Sequence, residues 1–316
     1  MSYGDSEKLC EKYGIGLKYS SLEELCEKRS IEFFKDETLS KYTTFEIGGK
    51  CDFLVKPHSI GSLRQVLIYC RENNIKYYVL GRGSNVLISD SGLKGVVIVL
   101  SSAFSQIITS EDGVYCEAGT SLTKLCNFAK ENELTGLEFA YGIPGSVGGA
   151  LYMNAGAYGG EMKDVVVSCD YLDEKLEAKT MYVDEMKLSY RHSIFCEKNY
   201  IILGVTFKLN KGNKAEISAK MSELMEKRRS KQPLEYPSAG STFKRPEGDF
   251  AGRLIEVSGL KGYTCGGAQV SEKHSGFVVN KGGATFDDVM GVISAVKEKV
   301  YGDSGVMLEC EVLILE

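Results

Sequence analysis

Glycine and other small residues dominate the stretch Gly136-Leu137-Glu138-Phe139-Ala140-Tyr141-Gly142-Ile143-Pro144-Gly145-Ser146-Val147-Gly148-Gly149-Ala150, which continues through Met153-Asn154-Ala155-Gly156-Ala157-Tyr158-Gly159. Glycine lacks a Cβ, so the main chain can approach a ligand closely and can adopt a positive φ. Successive N–H groups can then point at a pyrophosphate or at the edge of a flat ring. A pair of tight turns between strands is the alternative interpretation of the same residues. We interpret the stretch as a surface that wraps a large cofactor.

A second glycine-rich loop directly follows the strand-like segment Tyr77–Leu80, and its sequence is Gly81-Arg82-Gly83-Ser84-Asn85-Val86-Leu87. Its glycines allow a tight turn, and its serine and asparagine add side-chain donors, so the loop can bind a phosphate through backbone amides. The loop is not a P-loop, because the Gly-Lys-Ser/Thr ending is missing, and it lacks the third glycine of a dinucleotide fingerprint. Alone it is more typical of a glycine-rich β-turn. Together the two loops favour a cofactor cradle made of two parts.

The composition is that of a soluble globular protein, since 43% of the 316 residues are hydrophobic and 26% are charged. A net charge of −5 provides no general attraction to nucleic acid or to anionic membranes, so neither is predicted as a partner. The first residues show no basic segment followed by an apolar one, and no apolar run is long enough to span a bilayer. We therefore expect a cytoplasmic protein.

The chain contains ten cysteines, and no two of them are separated by only two residues. Many lie within apolar stretches such as Leu67-Ile68-Tyr69-Cys70. Clustered metal-ligand spacing is therefore missing, and no metal site is predicted. Buried free thiols in a reducing compartment are the better interpretation.

Apolar periodicity divides the chain into five parts and favours an α+β fold, because strands and helices are mixed without strict alternation. Residues 1–35 are expected to form a helical extension, and short strands and amphipathic helices follow over 36–101, 102–212 and 213–305. The last part, 306–316, is predicted to be one strand. Its alternation of residue types would place Glu309 and Glu311 together on one face.

Together with Thr43-Thr44-Phe45-x-Ile47-Gly48-Gly49, the two loops resemble the flavin-binding half of the vanillyl-alcohol oxidase and p-cresol methylhydroxylase family. Residues 36 to 315 are similar to the bacterial UDP-N-acetylenolpyruvoylglucosamine reductases, also called UDP-N-acetylmuramate dehydrogenases, in the short form without an extra substrate-loop insertion. The motifs match in order in all three sections. The resemblance implies two FAD-binding subdomains, over 36–101 and 102–212. It further implies a substrate-binding domain over 213–305 and a catalytic glutamate on the C-terminal strand.

The resemblance also implies an activity: reduction of the enolpyruvyl group of UDP-N-acetylglucosamine enolpyruvyl ether to UDP-N-acetylmuramate, in peptidoglycan precursor synthesis. NADPH would reduce FAD, and hydride would then pass from flavin N5 to the enolpyruvyl group. FAD would be bound without a covalent link, because neither loop contains a histidine. The residues expected to hold it are Gly81, Arg82, Gly83, Ser84, Asn85, Val86, Leu87, Gly142, Pro144, Gly145, Ser146, Gly148, Gly149, Ala150, Asn154, Ala155 and Gly156.

Three residues carry the implied chemistry. Arg191, in Tyr190-Arg191-His192-Ser193-x-Phe195, would bind the substrate carboxylate and stabilise negative charge as hydride adds. Ser241, in Ser238-Ala239-Gly240-Ser241-Thr242-Phe243-Lys244, would donate a proton to the resulting enolate. Glu311, in Leu308-Glu309-Cys310-Glu311-Val312, would hydrogen-bond the carboxylate or enolate while protonated, which requires a raised pKa. Without the resemblance, these would be a surface arginine, a turn serine and a solvated carboxylate.

Four further residues are expected to contact the substrate: Tyr190, Arg228, Lys231 and Arg245, with Arg228 contacting substrate or flavin. A solvated helix end remains the alternative for the basic run 227–231. Leu313 departs from the family, which commonly has a basic residue there. A monomer acting on a small UDP-sugar is expected. The other functions open at this point are an FAD oxidase or dehydrogenase for another small alcohol or acid, and a nucleotide-binding module without catalysis.

Overall fold

The computed structural model describes residues 18–111 and 113–316. Helix α1, described over 18–28, precedes a mixed first section. Strands β1, β2, β5 and β3 form a sheet in that order, in which β1 is antiparallel and the others are parallel. The elements of this section are β1 (Glu32–Thr38), β2 (Lys50–Lys56), α2 (Ile60–Glu72), β3 (Tyr77–Leu80), β4 (Val86–Ile88) and β5 (Leu93–Val99).

Strands β2 and β3 and helix α2 between them form a strand–helix–strand unit, and β3 coincides with the strand-like segment Tyr77–Leu80. Helix α2 begins at a capping box, in which the hydroxyls of Ser59 and Ser62 each accept the other residue's main-chain N–H. Its apolar face, which includes Val66 and Cys70, is completely buried. Strand β1 begins at Glu32, inside the segment predicted as the helical extension, so the end of that segment belongs to the sheet. The part of that prediction falling on residues 1–17 lies outside the described residues.

The second section is built on an antiparallel sheet of five strands in the order β12-β11-β13-β7-β6. Strands β8 and β14 form one small ladder, and β9 and β10 form another. Buried side chains of the first and second sections share one hydrophobic cluster, so the two pack directly on each other. The elements are β6 (Ile107–Ser110), β7 (Gly113–Glu117), α3 (Leu122–Glu131), β8 (Leu134–Thr135), α4 (Val147–Tyr152), β9 (Gly156–Ala157), β10 (Gly160–Glu161), β11 (Val166–Leu172), β12 (Ala178–Tyr182), β13 (Ile201–Phe207) and β14 (Asn210–Lys211).

The third section has an antiparallel sheet in the order β15-β18-β17-β16 and a hydrophobic cluster that also includes Phe45, Ile47 and Leu87 of the first section. Ile217 and Met221 of its first helix belong instead to the cluster shared by the first two sections. Helix α7 begins at a capping box, in which Thr285 Oγ accepts from Asp288 N and the Asp288 carboxylate accepts from Thr285 N. The elements are α5 (Lys214–Lys231), β15 (Ser238–Ser241), α6 (Ala251–Val257), β16 (Thr264–Cys265), β17 (Ala268–Val270), β18 (Phe277–Asn280), α7 (Phe286–Ser304) and β19 (Leu313–Leu315).

The C-terminal segment is not the single strand predicted over 306–316. Only β19 is a strand, and it pairs with β4 of the first section. The chain changes partners on the way: Glu311 N donates to Thr242 O of the third section, and Leu313 N donates to Asn85 O of the first. Glu309 and Glu311 differ in environment, although the main chains of both bond to residues 242–244. The Glu309 side chain is 72% exposed and that of Glu311 is 10% exposed.

The cysteines within the described residues are free thiols, and six of them are buried, in agreement with the prediction. Burial raises the pKa of several of these thiols, including that of Cys70 to about 12, so they remain protonated. Among residues 18–111 and 113–316, no helix is both long and apolar enough to cross a membrane.

Candidate active site

The two glycine-rich loops and the Thr43-Thr44 segment meet in space. A Cβ on Gly81 would overlap the hydroxyl of Ser146, at the start of the second loop's helix. A Cβ on Gly83, whose φ is +59°, would overlap Tyr42 O, and Thr44 N donates to Gly83 O at 3.1 Å. Glycine is needed at both positions because the main chains approach so closely. The loops therefore form one continuous surface.

The first loop presents a row of unused backbone donors. In the hydrogen bonds of the described residues, the main-chain amides of 81–85 donate to no protein group. Two of its side chains are used elsewhere: Asn85 Nδ2 donates to Glu311 O at 3.1 Å, and Leu87 is completely buried in the core. A row of free amides is the arrangement that binds phosphate, so the loop fits the pyrophosphate of a dinucleotide.

In the second loop, several of the residues predicted to bind FAD have a part in the fold. A Cβ on Gly148 would lie 2.9 Å from Ala118 Cβ, so this glycine permits helix α4 to pack on the neighbouring chain. Ala150 is buried, whereas Pro144 and Gly149 are exposed. Ser146 caps α4, since its Oγ accepts from Gly149 N at 3.3 Å. The exposed positions of this loop are thus Pro144 and Gly149.

A cleft of about 720 Å³ begins at the end of the second loop and reaches into the third section. It brings together all three predicted catalytic residues, which come from distant parts of the chain. Tyr190 and Arg245 also line it, and Tyr190 Oη accepts a hydrogen bond from Arg245 N at 3.1 Å. The three predicted catalytic residues in its lining are Arg191, Ser241 and Glu311.

Arg191 and Glu311 form a close ion pair, in which Arg191 Nε donates to Glu311 Oε1 at 2.5 Å. Burial raises the pKa of Glu311, although the charge of Arg191 opposes that shift. A raised pKa is the direction required of a glutamate that donates a hydrogen bond while protonated. With Nε bound to Glu311, the two terminal nitrogens of Arg191, Nη1 and Nη2, can bind another acceptor. Nη2 makes only a long contact of 3.4 Å with Gly156 O.

Arg191 lies in a tight turn with an unfavourable backbone conformation. Ser189 and His192 close the turn through reciprocal main-chain hydrogen bonds of 3.1 and 3.2 Å. The φ of Arg191 is +53°, in the left-handed region that favours glycine. Such conformations persist only where the surroundings enforce them, and they concentrate at functional sites.

Ser241 ends strand β15, beside the segment that carries Glu311. Because Glu311 N donates to Thr242 O at 2.8 Å, the backbones of the two catalytic candidates are direct neighbours. Ser241 is half-buried, and its hydroxyl has no hydrogen-bond partner among the described residues. It is therefore free to face a ligand in the cleft.

Arg228 is buried on helix α5 beneath the second loop. Its Nη1 donates to Gln232 at 3.0 Å, but its Nε and Nη2 have no partner in the described part of the chain. A Cβ on Gly142 would lie 3.3 Å from this side chain, and the guanidinium lies over the Tyr158 ring. Unpaired buried donors of this kind indicate a site for an acceptor that the protein does not supply. Burial also lowers the pKa of Arg228.

Lys231 does not line the cleft and is exposed. Burial lowers the pKa of His274, which does line the cleft, and the nearby charge of Lys231 adds to that shift. His274 and Ser275 were missed by the sequence reasoning, and the Ser275 hydroxyl is buried without a partner in the described part of the chain. Their loop resembles any short connection between strands, so no local signal was present.

Two family models match the chain. The model described as "FAD binding domain" matches residues 51–178, and "UDP-N-acetylenolpyruvoylglucosamine reductase, C-terminal domain" matches residues 232–315. The predicted FAD cofactor and the predicted α+β class, with an FAD-binding region followed by a second domain, are confirmed.

Relatives match over nearly the whole chain. The UDP-N-acetylenolpyruvoylglucosamine reductase of Caldanaerobacter subterraneus subsp. tengcongensis is 49% identical over 284 residues, which is 90% of this chain and 94% of that protein. The Clostridium novyi enzyme of the same name is 47% identical over 295 residues, or 93% and 95% of the two chains. The crystal structure of the Thermus caldophilus reductase superposes with a TM-score of 0.77 at 34% identity, covering 90% and 99%. With these likenesses added to the geometry of the cleft, the chain belongs to the UDP-N-acetylenolpyruvoylglucosamine reductase family.

Proposed function

We propose that this protein reduces the enolpyruvyl group of UDP-N-acetylglucosamine enolpyruvyl ether to give UDP-N-acetylmuramate, with NADPH as the reductant. The proposal rests above all on one observation: Arg191, Ser241 and Glu311 line a single cleft beside the glycine-rich loops. A guanidinium, a buried carboxyl and a free hydroxyl suit an unsaturated carboxylate that must gain a hydride and a proton.

The residues present fit FAD. The free amides of 81–85 would hold the pyrophosphate, and the exposed edge around Gly149 would face the rest of the cofactor. Arg228 would contact flavin or substrate through its two unpaired nitrogens. When bound, FAD supplies the hydride. We propose that 36–101 and 102–212 form its two subdomains, and that 213–305 with the C-terminal segment 306–316 binds the sugar nucleotide.

Each catalytic candidate has a defined task in this proposal. The outer nitrogens of Arg191 bind the substrate carboxylate and stabilise the charge that builds up on it as hydride adds. Glu311, whose pKa is raised by burial, donates a hydrogen bond to the same group in its protonated form. The Ser241 hydroxyl gives its proton to the carbon that carries the carboxylate. Tyr190 and Arg245, together with the nearby Lys231, bind the diphosphate. The enzyme is proposed to act in the cytoplasm as a monomer.

The Ser241→Ala variant tests the proposal, with Ser238→Ala as its control in the same strand. Single-turnover absorbance would follow flavin reduction by NADPH and flavin reoxidation by the enolpyruvyl substrate separately. We expect reduction to be unchanged and reoxidation to slow by about 100- to 10,000-fold in Ser241→Ala only, because a positioned general acid is lost. Equal survival of both steps in Ser241→Ala would refute the role given to this serine. Absence of substrate-dependent NADPH oxidation in wild type would refute the reaction.

A further inference from the structure

Asn154 belongs to the stretch expected to hold FAD, yet its side chain faces into the protein. The residue is completely buried. Both hydrogens of its amide are used: Nδ2 donates to Glu161 Oε2 at 2.7 Å and to Ser189 O at 3.0 Å. Its Oδ1 accepts from Lys163 N at 3.0 Å. Any contact with a cofactor would therefore have to come from its main chain.

The hydrogen bond to Ser189 reaches the turn that presents Arg191. Ser189 is one of the two residues that close that turn. Just beyond its other end, Ser193 Oγ donates to Tyr152 O at 2.7 Å. Both ends of the strained turn are thus attached to the segment 152–154, which continues from helix α4 of the second glycine-rich loop. The positive φ of Arg191 can persist only where the surrounding structure holds the turn in place, and these two hydrogen bonds do so.

We propose that Asn154 is a positioning residue, which holds the Ser189–His192 turn so that Arg191 faces the substrate carboxylate. The inference rests on the role proposed above for Arg191 and adds a residue that touches neither substrate nor reacting atoms. It also links the loop expected to hold FAD to the arginine, through one buried amide. Two other roles for Asn154 are distinguishable from this one: holding FAD, and supporting the fold in general.

The Asn154→Gly variant separates the side chain from the backbone. The φ of Asn154 is +40°, and glycine adopts such angles without strain, so this change removes the amide alone. Asn74→Gly is a matched control, because Asn74 is an exposed asparagine with a φ of +51° after helix α2. Asn154→Asp is a second variant of the same shape that retains the acceptor but, even when protonated, can donate to only one of Glu161 and Ser189. It keeps the test decisive if the glycine variant does not fold.

Three measurements on the FAD-bound protein report on positioning without relying on turnover. Hydrogen exchange of the peptide covering 186–195 should become faster in Asn154→Gly, because the His192 amide loses its fixed partner. Calorimetry should show weaker binding of UDP-N-acetylmuramate, whose carboxylate Arg191 is proposed to bind. The flavin content should stay at the wild-type value. Asn74→Gly should match wild type in all three.

Kinetics and a double variant complete the test. Misplacing a catalytic group by about 1 Å costs on the order of 100-fold, so flavin reoxidation should slow by about that factor while NADPH reduction is unchanged. In an Arg191→Lys background, Asn154→Gly should have little further effect, since it acts through Arg191. Additive losses, a loss of FAD, or unchanged exchange and product binding would each overturn the positioning role. Wild-type reoxidation in Arg191→Lys alone would instead refute the function proposed for Arg191.

Discussion

Replacing Gly81 with alanine should disrupt the contact between the two glycine-rich loops. The new Cβ would overlap Ser146 Oγ and lie 3.2 Å from Ser146 Cβ. Ser146 must then rotate and give up its hydrogen bond to Gly149 N, which caps helix α4. Losing a serine cap costs about 1 kcal/mol. Crowding a packed contact costs a further 1–3 kcal/mol, so we expect a total loss of about 2–4 kcal/mol, together with weaker FAD binding.

A double variant makes this reasoning testable. Ser146→Gly removes the atoms that clash, and glycine is a tolerable cap that costs only a few tenths of a kcal/mol relative to serine. The melting temperature and the Kd for FAD, measured from flavin fluorescence, should therefore largely recover in Gly81→Ala/Ser146→Gly. Gly302→Ala is the control, because nothing lies within 4 Å of a Cβ at that helical position. Additive effects of the two changes would show that the clash with Ser146 is not the cause.

Two further predictions concern buried charged groups of the site. An acid with a raised folded-state pKa stabilises a protein fully below its unfolded value and loses that contribution as the pH rises through the folded value. As the pH rises above 4.5, wild type should therefore lose stability relative to Glu311→Gln, which thermal melts at several pH values would measure. A difference in melting temperature that does not change with pH would contradict this. Arg228→Met should raise the melting temperature of the FAD-free protein, because a desolvated charge is removed. It should also weaken binding of whichever ligand pairs with Nε and Nη2 by about tenfold or more. Separate titrations with FAD and with UDP-N-acetylmuramate identify that ligand, and unchanged affinity for both would refute the interpretation.

Local patterns in the chain predicted the regular elements well. Helix α2 and helix α7 start at serine or threonine caps and bury apolar residues at helical spacing. Both features depend only on residues close together in the sequence. The glycine-rich loops were recognisable for the same reason, because a close main-chain approach demands glycine at the position itself. The C-terminal segment was wrong as a continuous strand. Its alternation was real, but its hydrogen-bond partners change between Glu311 and Leu313, which no local pattern records.

Residue types and motif order were therefore sufficient to identify the family, the cofactor and the candidate catalytic residues. Their arrangement depends on contacts between distant parts of the chain. Arg191 and Glu311 are 120 positions apart and meet only where the C-terminal segment, held to Thr242 by its main chain, lies against the second section. Asn154 looked like a cofactor residue in the sequence, but the fold turns its amide towards Ser189. Side-chain direction and burial arise from packing of separate segments, and burial is also what raises the pKa of Glu311.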